Sequence, residues 1–178
     1  MELPATPIPA RSLPARQPDA LEELVREHHQ AVTRLAHRLL GWRGDVEDVV
    51  HDVFLAAFKK FDRFRGEASE WTWLAAITIN RCRSQRRRDL LRFRWLSRRD
   101  VIRQAASGDR VEVDETAKRV RDAVAKLSPR DRELIVLHYL EQLPIRELSK
   151  LIGSSEKTLH VQLHRARQRL KKLLPDEG

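Results

Sequence analysis

Apolar residues recur at helical spacing along most of the chain, and no stretch shows the alternation of a half-buried strand. The first helical pattern covers residues 19–40. Asp19 and Glu22 have the spacing of a capping box there, and Gly41 follows as a stop. Asp45 is the predicted cap of a second helix, whose apolar stripe comprises Val46, Val49, Val50, Val53, Phe54, Ala57, Phe58 and Phe61. This i, i+3, i+4 repeat predicts a core-facing helix in spite of its four β-branched valines.

These patterns divide the chain into two helical blocks. Five of the eight prolines lie within residues 1–18, which predicts a disordered, proline-rich tail. The first block covers residues 19–95, and Ser69 is the predicted cap of its third helix. Residues 96–115 are basic and polar, so we expect a flexible linker before a second block at residues 116–175. The predicted fold is therefore all-α, with two small helical domains and a linker between them.

The end of the second block has the layout of a helix-turn-helix. A short helix starting at Pro144 ends at Gly153, and Ser155 caps a longer helix. The short helix would pack its apolar side chains on Leu159 and Leu163 and leave the longer helix free for a major groove. On that helix the predicted DNA-contacting residues are Lys157, His160, Val161, His164, Arg165 and Arg167. The alternative is an ordinary helical hairpin with a solvated basic face.

The charge of the chain narrows the choice of partner. The 178 residues carry a formal net charge of +9, which favours a polyanion such as nucleic acid.

The single cysteine, Cys82, excludes an internal disulfide framework and a cysteine-based metal site. No apolar run reaches the roughly 18 residues of a membrane span, and residues 1–18 lack the core of a signal peptide. We therefore expect a cytoplasmic protein without membrane insertion.

The two blocks together resemble the extracytoplasmic-function (ECF) group of bacterial RNA polymerase sigma factors, in the sigma-70 family. In the first block the resemblance depends on "DVEDVVHDVFLAAFKKFDRFRG" and "TWLAAITINRCRSQRRR". In the second it depends on "LSPRDRELIVLHYLEQLPIRELSKLIG" and "TLHVQLHRARQRL". The resemblance implies that residues 19–95 are sigma region 2, which binds core polymerase and the −10 promoter element. Residues 116–175 would be region 4, which binds the −35 element.

The resemblance also implies roles for individual residues. On the second helix, the face opposite the apolar stripe would bind the clamp helices of the polymerase β′ subunit, through Glu47, Asp48, His51, Asp52 and Leu55. The polymerase β flap is a further expected contact. The −10 element would be bound by Phe61, Arg63, Phe64, Arg65, Asn80, Arg81, Arg83, Arg86, Arg87 and Arg88. Asn80 has the donor and acceptor needed to read a base edge, and the arginines at 81–88 would neutralise phosphates.

The chain departs from the family at its last helix, and other functions stay open at this point. Family members often have "GTVKSRLHRAR" where this chain has "KTLHVQLHRAR", so its −35 preference is expected to be unusual. The alternative function is an independent helix-turn-helix regulator that binds duplex DNA as a dimer. The sequence predicts no catalytic residue, no cofactor and no metal, because the histidines lack a recognisable ligand or triad arrangement. An anti-sigma factor is expected by analogy alone.

Overall fold

A computed structural model describes residues 18–41, 46–61, 64, 66, 68–96 and 115–174. Within these residues the chain is helical and contains no strand. The helices are α1 (Pro18–Leu40), α2 (Val46–Lys60), α3 (Glu70–Leu96), α4 (Glu115–Lys126), α5 (Pro129–Ile135), α6 (Ile145–Ile152) and α7 (Glu156–Leu173). The fold is all-α, as predicted. Most of the proposed tail and linker, and the proposed cap Asp45, lie outside the described residues.

Helices α1, α2 and α3 form the first block, and each contacts the other two. Gly41 ends α1 in the left-handed conformation, with φ +73°, as its place in the sequence predicted. The Ser69 hydroxyl accepts a hydrogen bond from the Thr72 amide at 3.1 Å, which confirms the predicted cap of α3. The predicted cap at Asp19 is wrong, because α1 already begins at Pro18 and Asp19 lies in its first turn. A proline is tolerated there because the first helical amide has no partner within the helix.

One residue of the predicted core stripe of α2 faces outward. Phe58 is 61% exposed, whereas Val53 and Ala57 are fully buried. A helix turns about 100° per residue, which places Phe58 about 120° around α2 from Val46. The buried face is centred near Val46 and includes Ala56 on its other side, so Phe58 falls outside it. The remaining seven residues of the stripe are buried or partly buried.

Helices α4 to α7 form the second block. Ser128 caps α5 by accepting a hydrogen bond from the Asp131 amide, with Pro129 at the first helical position. The last turn of this helix widens into a π-helix over Val136–Leu140, which the sequence pattern did not indicate. Gly153, at φ +71°, ends α6, and the Ser155 hydroxyl accepts from the Thr158 amide to start α7. The predicted helix-turn-helix is confirmed, with Pro144 as the cap of α6 rather than its first residue.

The two blocks pack against each other. Their buried apolar residues form one cluster, and α1 contacts α5 and the π-helical turn. Pairs of polar side chains among the described residues join the blocks, among them Arg83 with Glu133, Arg38 with Glu141, and Thr72 with Glu147. We call these three pairs the glutamate contacts.

Replacing Leu148 by alanine should destabilise the second block. Leu148 is fully buried in the core that α6 shares with α7, so the cavity should lower the free energy of unfolding by about 2–5 kcal/mol. Leu173 is 38% exposed at the end of α7, and Leu173→Ala is the control, with an effect within about 0.5 kcal/mol. Urea unfolding followed by circular dichroism measures both. Equal losses in the two variants would contradict the helix packing described here.

Candidate nucleic-acid and polymerase interface

The last helix separates its apolar and polar side chains onto two faces. Leu159, Leu163 and Ala166 are buried against the rest of the second block. All six residues predicted to contact the −35 element are exposed on the other face: Lys157, His160, Val161, His164, Arg165 and Arg167. Val161 is an exposed apolar residue in the middle of this polar face. Gln162, at the edge of the same face, accepts a hydrogen bond from Arg130 at 3.4 Å.

Some of the polar residues on helix α3 are exposed, and others are paired with neighbouring side chains. Asn80, Arg87 and Arg88 are exposed, as a DNA-binding role requires. Arg81 is half-buried, and its Nη1 lies 3.8 Å from Oδ2 of Asp52 on α2. This ion pair brings together one residue predicted to bind DNA and one predicted to bind polymerase.

Two more of the arginines predicted to bind the −10 element, Arg83 and Arg86, already have partners, Arg83 in the second block and Arg86 in its own block. Arg83 donates from Nε to Oε2 of Glu133 at 3.1 Å and from Nη2 to Oε1. Arg86 donates from Nη2 to the carbonyl of Leu39 at the end of α1. Burial lowers the pKa of Arg86 from its ordinary value. The Leu39 carbonyl offsets part of this desolvation cost, because the last carbonyls of a helix carry partial negative charge and lack partners within the helix.

An aromatic group lies at the start of α3. The ring of Trp73 is 4.9 Å from that of Phe64 and 6.5 Å from that of Phe61, measured between centroids. All three rings are partly exposed. The neighbouring Trp71 stacks on His28, with the ring centroids 6.3 Å apart. Arg63 and Arg65, predicted to lie beside these rings, fall outside the described residues.

The outer face of α2 combines acidic and apolar side chains. Glu47, Asp48, His51 and Leu55 are exposed and Asp52 is half-exposed, as predicted. Leu55 is 42% exposed, and Phe58, three residues later, adds a second exposed apolar side chain on the same side. Sequence reasoning placed Phe58 in the core. Its angle around the helix, about 120° from Val46, was the signal that could have corrected this.

Two further groups of reactive side chains lie away from these surfaces. Burial raises the pKa of the Cys82 thiol to about 12, with smaller opposing and reinforcing effects from Arg86 and Glu133. His28 is buried, and its Nε2 lies 3.4 Å from Oε2 of Glu70; ligand atoms of the exposed Glu27, of His28 and of Glu70 lie within 4.8 Å of one another. We assign no metal to this group. His160 and His164 are exposed on α7.

Comparison with known proteins identifies the family. Residues 24–90 match the model for sigma-70 region 2, and residues 117–170 match that for sigma-70 region 4. The chain is 30% identical over 155 residues to the ECF RNA polymerase sigma factor SigM of Mycobacterium tuberculosis, covering 87% of this chain and 77% of SigM. This chain belongs to the ECF family of RNA polymerase sigma factors.

Solved structures agree with this assignment. CnrH, solved in complex with the cytosolic domain of CnrY, is 30% identical to this sigma factor, with a TM-score of 0.64 and coverage of 91% of this chain and 92% of CnrH. RpoE of Bartonella quintana, solved with the anti-sigma factor NepR, has the same fold, with a TM-score of 0.73 at 24% identity and coverage of 88% of this chain and 98% of RpoE. The first block is therefore region 2 and the second is region 4. The described part of the chain contains no helix that could cross a membrane.

The Cys82 thiol should resist modification in the folded sigma factor. Its pKa of about 12 keeps it protonated at mildly alkaline pH, and only the thiolate reacts with Ellman's reagent. We expect slow reaction of the native chain and complete reaction of one thiol after unfolding in guanidinium chloride. Cys82→Ala is the blank for the assay. Rapid modification of the native chain would contradict the burial of Cys82.

Proposed function

We propose that this sigma factor directs core RNA polymerase to promoters by binding the −35 element with α7 and the −10 element with α3. The observation that carries the proposal is the division of α7 into a buried apolar face and an exposed face, on which three of the six predicted DNA-contacting residues are cations. Sigma factors are non-enzymatic transcription initiation factors, and we infer that this chain acts by binding alone. Its place of action is then the cytoplasm, where polymerase and chromosome lie.

The exposed face of α7 is suited to reading duplex DNA. The start of the helix, which carries positive partial charge, favours phosphate nearby, and Lys157 adds a cation there. Arg165 can donate two hydrogen bonds to guanine, and Val161 can contact a thymine methyl group. Arg167 would hold a phosphate. His160 and His164 would reach bases one turn apart on the same face.

The start of α3 is suited to holding an unpaired base of the −10 element. Removing a base from the stack costs a few kcal/mol, and a protein without ATP must recover that cost by binding the base. The rings of Phe61, Phe64 and Trp73 offer a stacking surface, where each base can contribute about 1–3 kcal/mol. Asn80 lies exposed further along the helix, where its amide can read a base edge. Arg63 and Arg65 are part of the same proposal.

The phosphates of the −10 strand would then run along α3. Arg87 and Arg88 are exposed and available as the structure stands. Arg81 must exchange its contact with Asp52, and Arg83 and Arg86 must exchange theirs with Glu133 and the Leu39 carbonyl.

We assign polymerase binding to the outer face of α2. Asp48, Asp52 and Glu47 make this face acidic, and Leu55 and Phe58 add apolar area. An acidic surface with apolar centres fits a basic, partly apolar helix, such as a clamp helix of the β′ subunit. The second block would contact the β flap.

A protein inhibitor is a further proposed partner. CnrH, at 30% identity, was solved with the cytosolic domain of CnrY bound to it. We propose that an anti-sigma factor binds this chain as well.

Arg165→Ala should weaken transcription that depends on the −35 element. Loss of a two-donor contact to guanine removes about 1–3 kcal/mol of discrimination between guanine and the other bases at that position, while binding to core polymerase should stay unchanged. Lys172→Ala, at the far end of α7, is the control for loss of one exposed cation. Run-off transcription and a pull-down with core polymerase give the two readouts. Undiminished promoter use by Arg165→Ala would remove this residue from the DNA surface.

Asp48→Arg should lower the affinity for core polymerase by at least about tenfold, because a basic partner helix attracts the aspartate and would repel the arginine. Phe58→Ala should also lower it through lost apolar contact. Glu22→Arg reverses an exposed charge on α1 and is the matched control. Affinity is measured by fluorescence anisotropy with labelled chain. If Asp48→Arg and Glu22→Arg bind core equally well, the outer face of α2 is not the docking surface.

A further inference from the structure

Helix α7 carries a pair of histidines spaced by about one helical turn. The stretch "HVQLH" places His160 and His164 four residues apart. No other two histidines in the chain are three or four residues apart, since the rest are His28, His29, His37, His51 and His138. Residues at i and i+4 are neighbours on a helix, with Cβ atoms about 5–6 Å apart. The two imidazole rings therefore belong to the same side of α7.

Both rings are free to bind a ligand. His160 and His164 are exposed, and within the described residues neither ring makes a hydrogen bond, an ion pair or a ring contact. The helix beneath them is held in place, because Leu159 and Leu163 are buried and the Ser155 hydroxyl caps its first turn. Only side-chain rotation is then needed to bring the two rings to one ion, which lowers the entropic cost of binding it.

Two neighbouring imidazoles on a helix have the chemistry of a transition-metal site. Neutral imidazole nitrogens are ligands for Zn²⁺, Ni²⁺ and Cu²⁺, whereas Mg²⁺ prefers oxygen. Two histidines at this same spacing on one face of a helix bind zinc in the H-E-x-x-H motif of metalloproteases. With two protein ligands, water would complete the tetrahedral shell of Zn²⁺.

The charges around the pair limit its affinity. Lys157 and Arg167, each three residues from one of the histidines, oppose a dication, whereas Glu156, four residues before His160, favours it. All three of these side chains are exposed, so water screens both effects. We therefore expect a site that selects imidazole-preferring ions and binds them less tightly than a closed site with four protein ligands.

We propose that His160 and His164 form a two-point site for a divalent transition-metal ion such as Zn²⁺, and that the bound ion excludes duplex DNA from α7. The metal site stands on the geometry of α7 alone. The exclusion rests on the proposed binding of the −35 element by this helix. The sequence predicted no metal, because the histidines lack a recognisable ligand arrangement. The structure adds two exposed, unpartnered rings on a capped and well-packed helix.

The exclusion follows from the atoms that the ion uses. On DNA the imidazole nitrogens would hydrogen-bond to base edges, and a bound ion takes those same nitrogens. The ion and its water ligands would also fill the space that a base pair needs beside the helix. Two added positive charges would by themselves strengthen DNA binding through attraction to phosphates. A loss of affinity can therefore come only from the blocked contacts.

Isothermal titration of the full-length chain with zinc chloride, in a buffer with excess Mg²⁺, measures the metal site. We expect one equivalent of Zn²⁺ to bind. The matched control is Val161→His/His164→Val, which keeps the composition and net charge but puts the histidines on adjacent residues that do not face each other. Both positions are exposed, so the exchange leaves the core intact. The control should bind Zn²⁺ at least about tenfold more weakly, because it loses the second point of attachment.

A second control locates the ion. Glu27→Gln removes one potential ligand from the group of Glu27, His28 and Glu70, at an exposed position, and should leave Zn²⁺ binding unchanged. If the histidine exchange binds Zn²⁺ as tightly as wild type, or if Glu27→Gln abolishes binding, the site on α7 is overturned.

Fluorescence anisotropy with a duplex selected for binding from a random library measures the exclusion. Saturating Zn²⁺ should lower the affinity of the wild-type chain for the duplex at least about fivefold, and the duplex should weaken Zn²⁺ binding by the same factor. The same Zn²⁺ concentration should not change the affinity of the histidine exchange from its own metal-free value. Zn²⁺ binding with unchanged or stronger duplex binding overturns the exclusion. If Arg165→Ala leaves metal-free duplex binding unaffected, α7 is not the DNA surface; the proposed function and the exclusion then fail, and the zinc site stands.

Discussion

A guanidinium group that is buried away from water needs an anion or a carbonyl oxygen as a hydrogen-bond acceptor. This requirement governs the polar contacts between the two blocks of the sigma factor. Arg83 and Arg86 on α3 are drawn to Glu133 and to the Leu39 carbonyl, and Arg132 of the second block reaches the same carbonyl. Burial lowers the pKa of Arg86 and of Arg132, which reflects the cost of removing each guanidinium from water. For Arg132 the Leu39 carbonyl is an acceptor in the other block, whereas Arg86 and Leu39 belong to the same block and their contact does not depend on the packing of the two blocks.

The same requirement applies to the ion pair between the blocks. Among the described residues, Arg83 of α3 reaches the second block through the Glu133 carboxylate. A buried ion pair left half-formed costs more than the formed pair returned. The contact between Arg83 and Glu133 therefore favours packing of the two blocks against each other.

Much of the fold could be predicted from sequence because local signals agreed with one another. The stops at Gly41 and Gly153 and the caps at Ser69 and Ser155 depend on backbone chemistry within a few residues, and each is present. The exposed face of α7 followed from helical spacing in the same way. Phe58 shows the limit of this reasoning. The i, i+3, i+4 pattern placed it in the core, but its angle around α2 puts it outside the buried face of the helix. The outward position of Phe58 adds it to the proposed polymerase surface.

The glutamate contacts could not be predicted, because the paired residues are 50 to 103 positions apart and no local pattern joins them. The family resemblance assigned Arg83 and Arg86 to DNA, without the Glu133 carboxylate and the Leu39 carbonyl that bind them in the folded chain. In the proposed function, the two blocks recognise two separate elements of one promoter while bound to polymerase. Mapping of RNA start sites on a randomised promoter library, with core RNA polymerase and this chain, tests that claim most directly. Starts should cluster at a fixed distance from two enriched sequence elements, and a distribution of starts identical to that of core polymerase alone would contradict it.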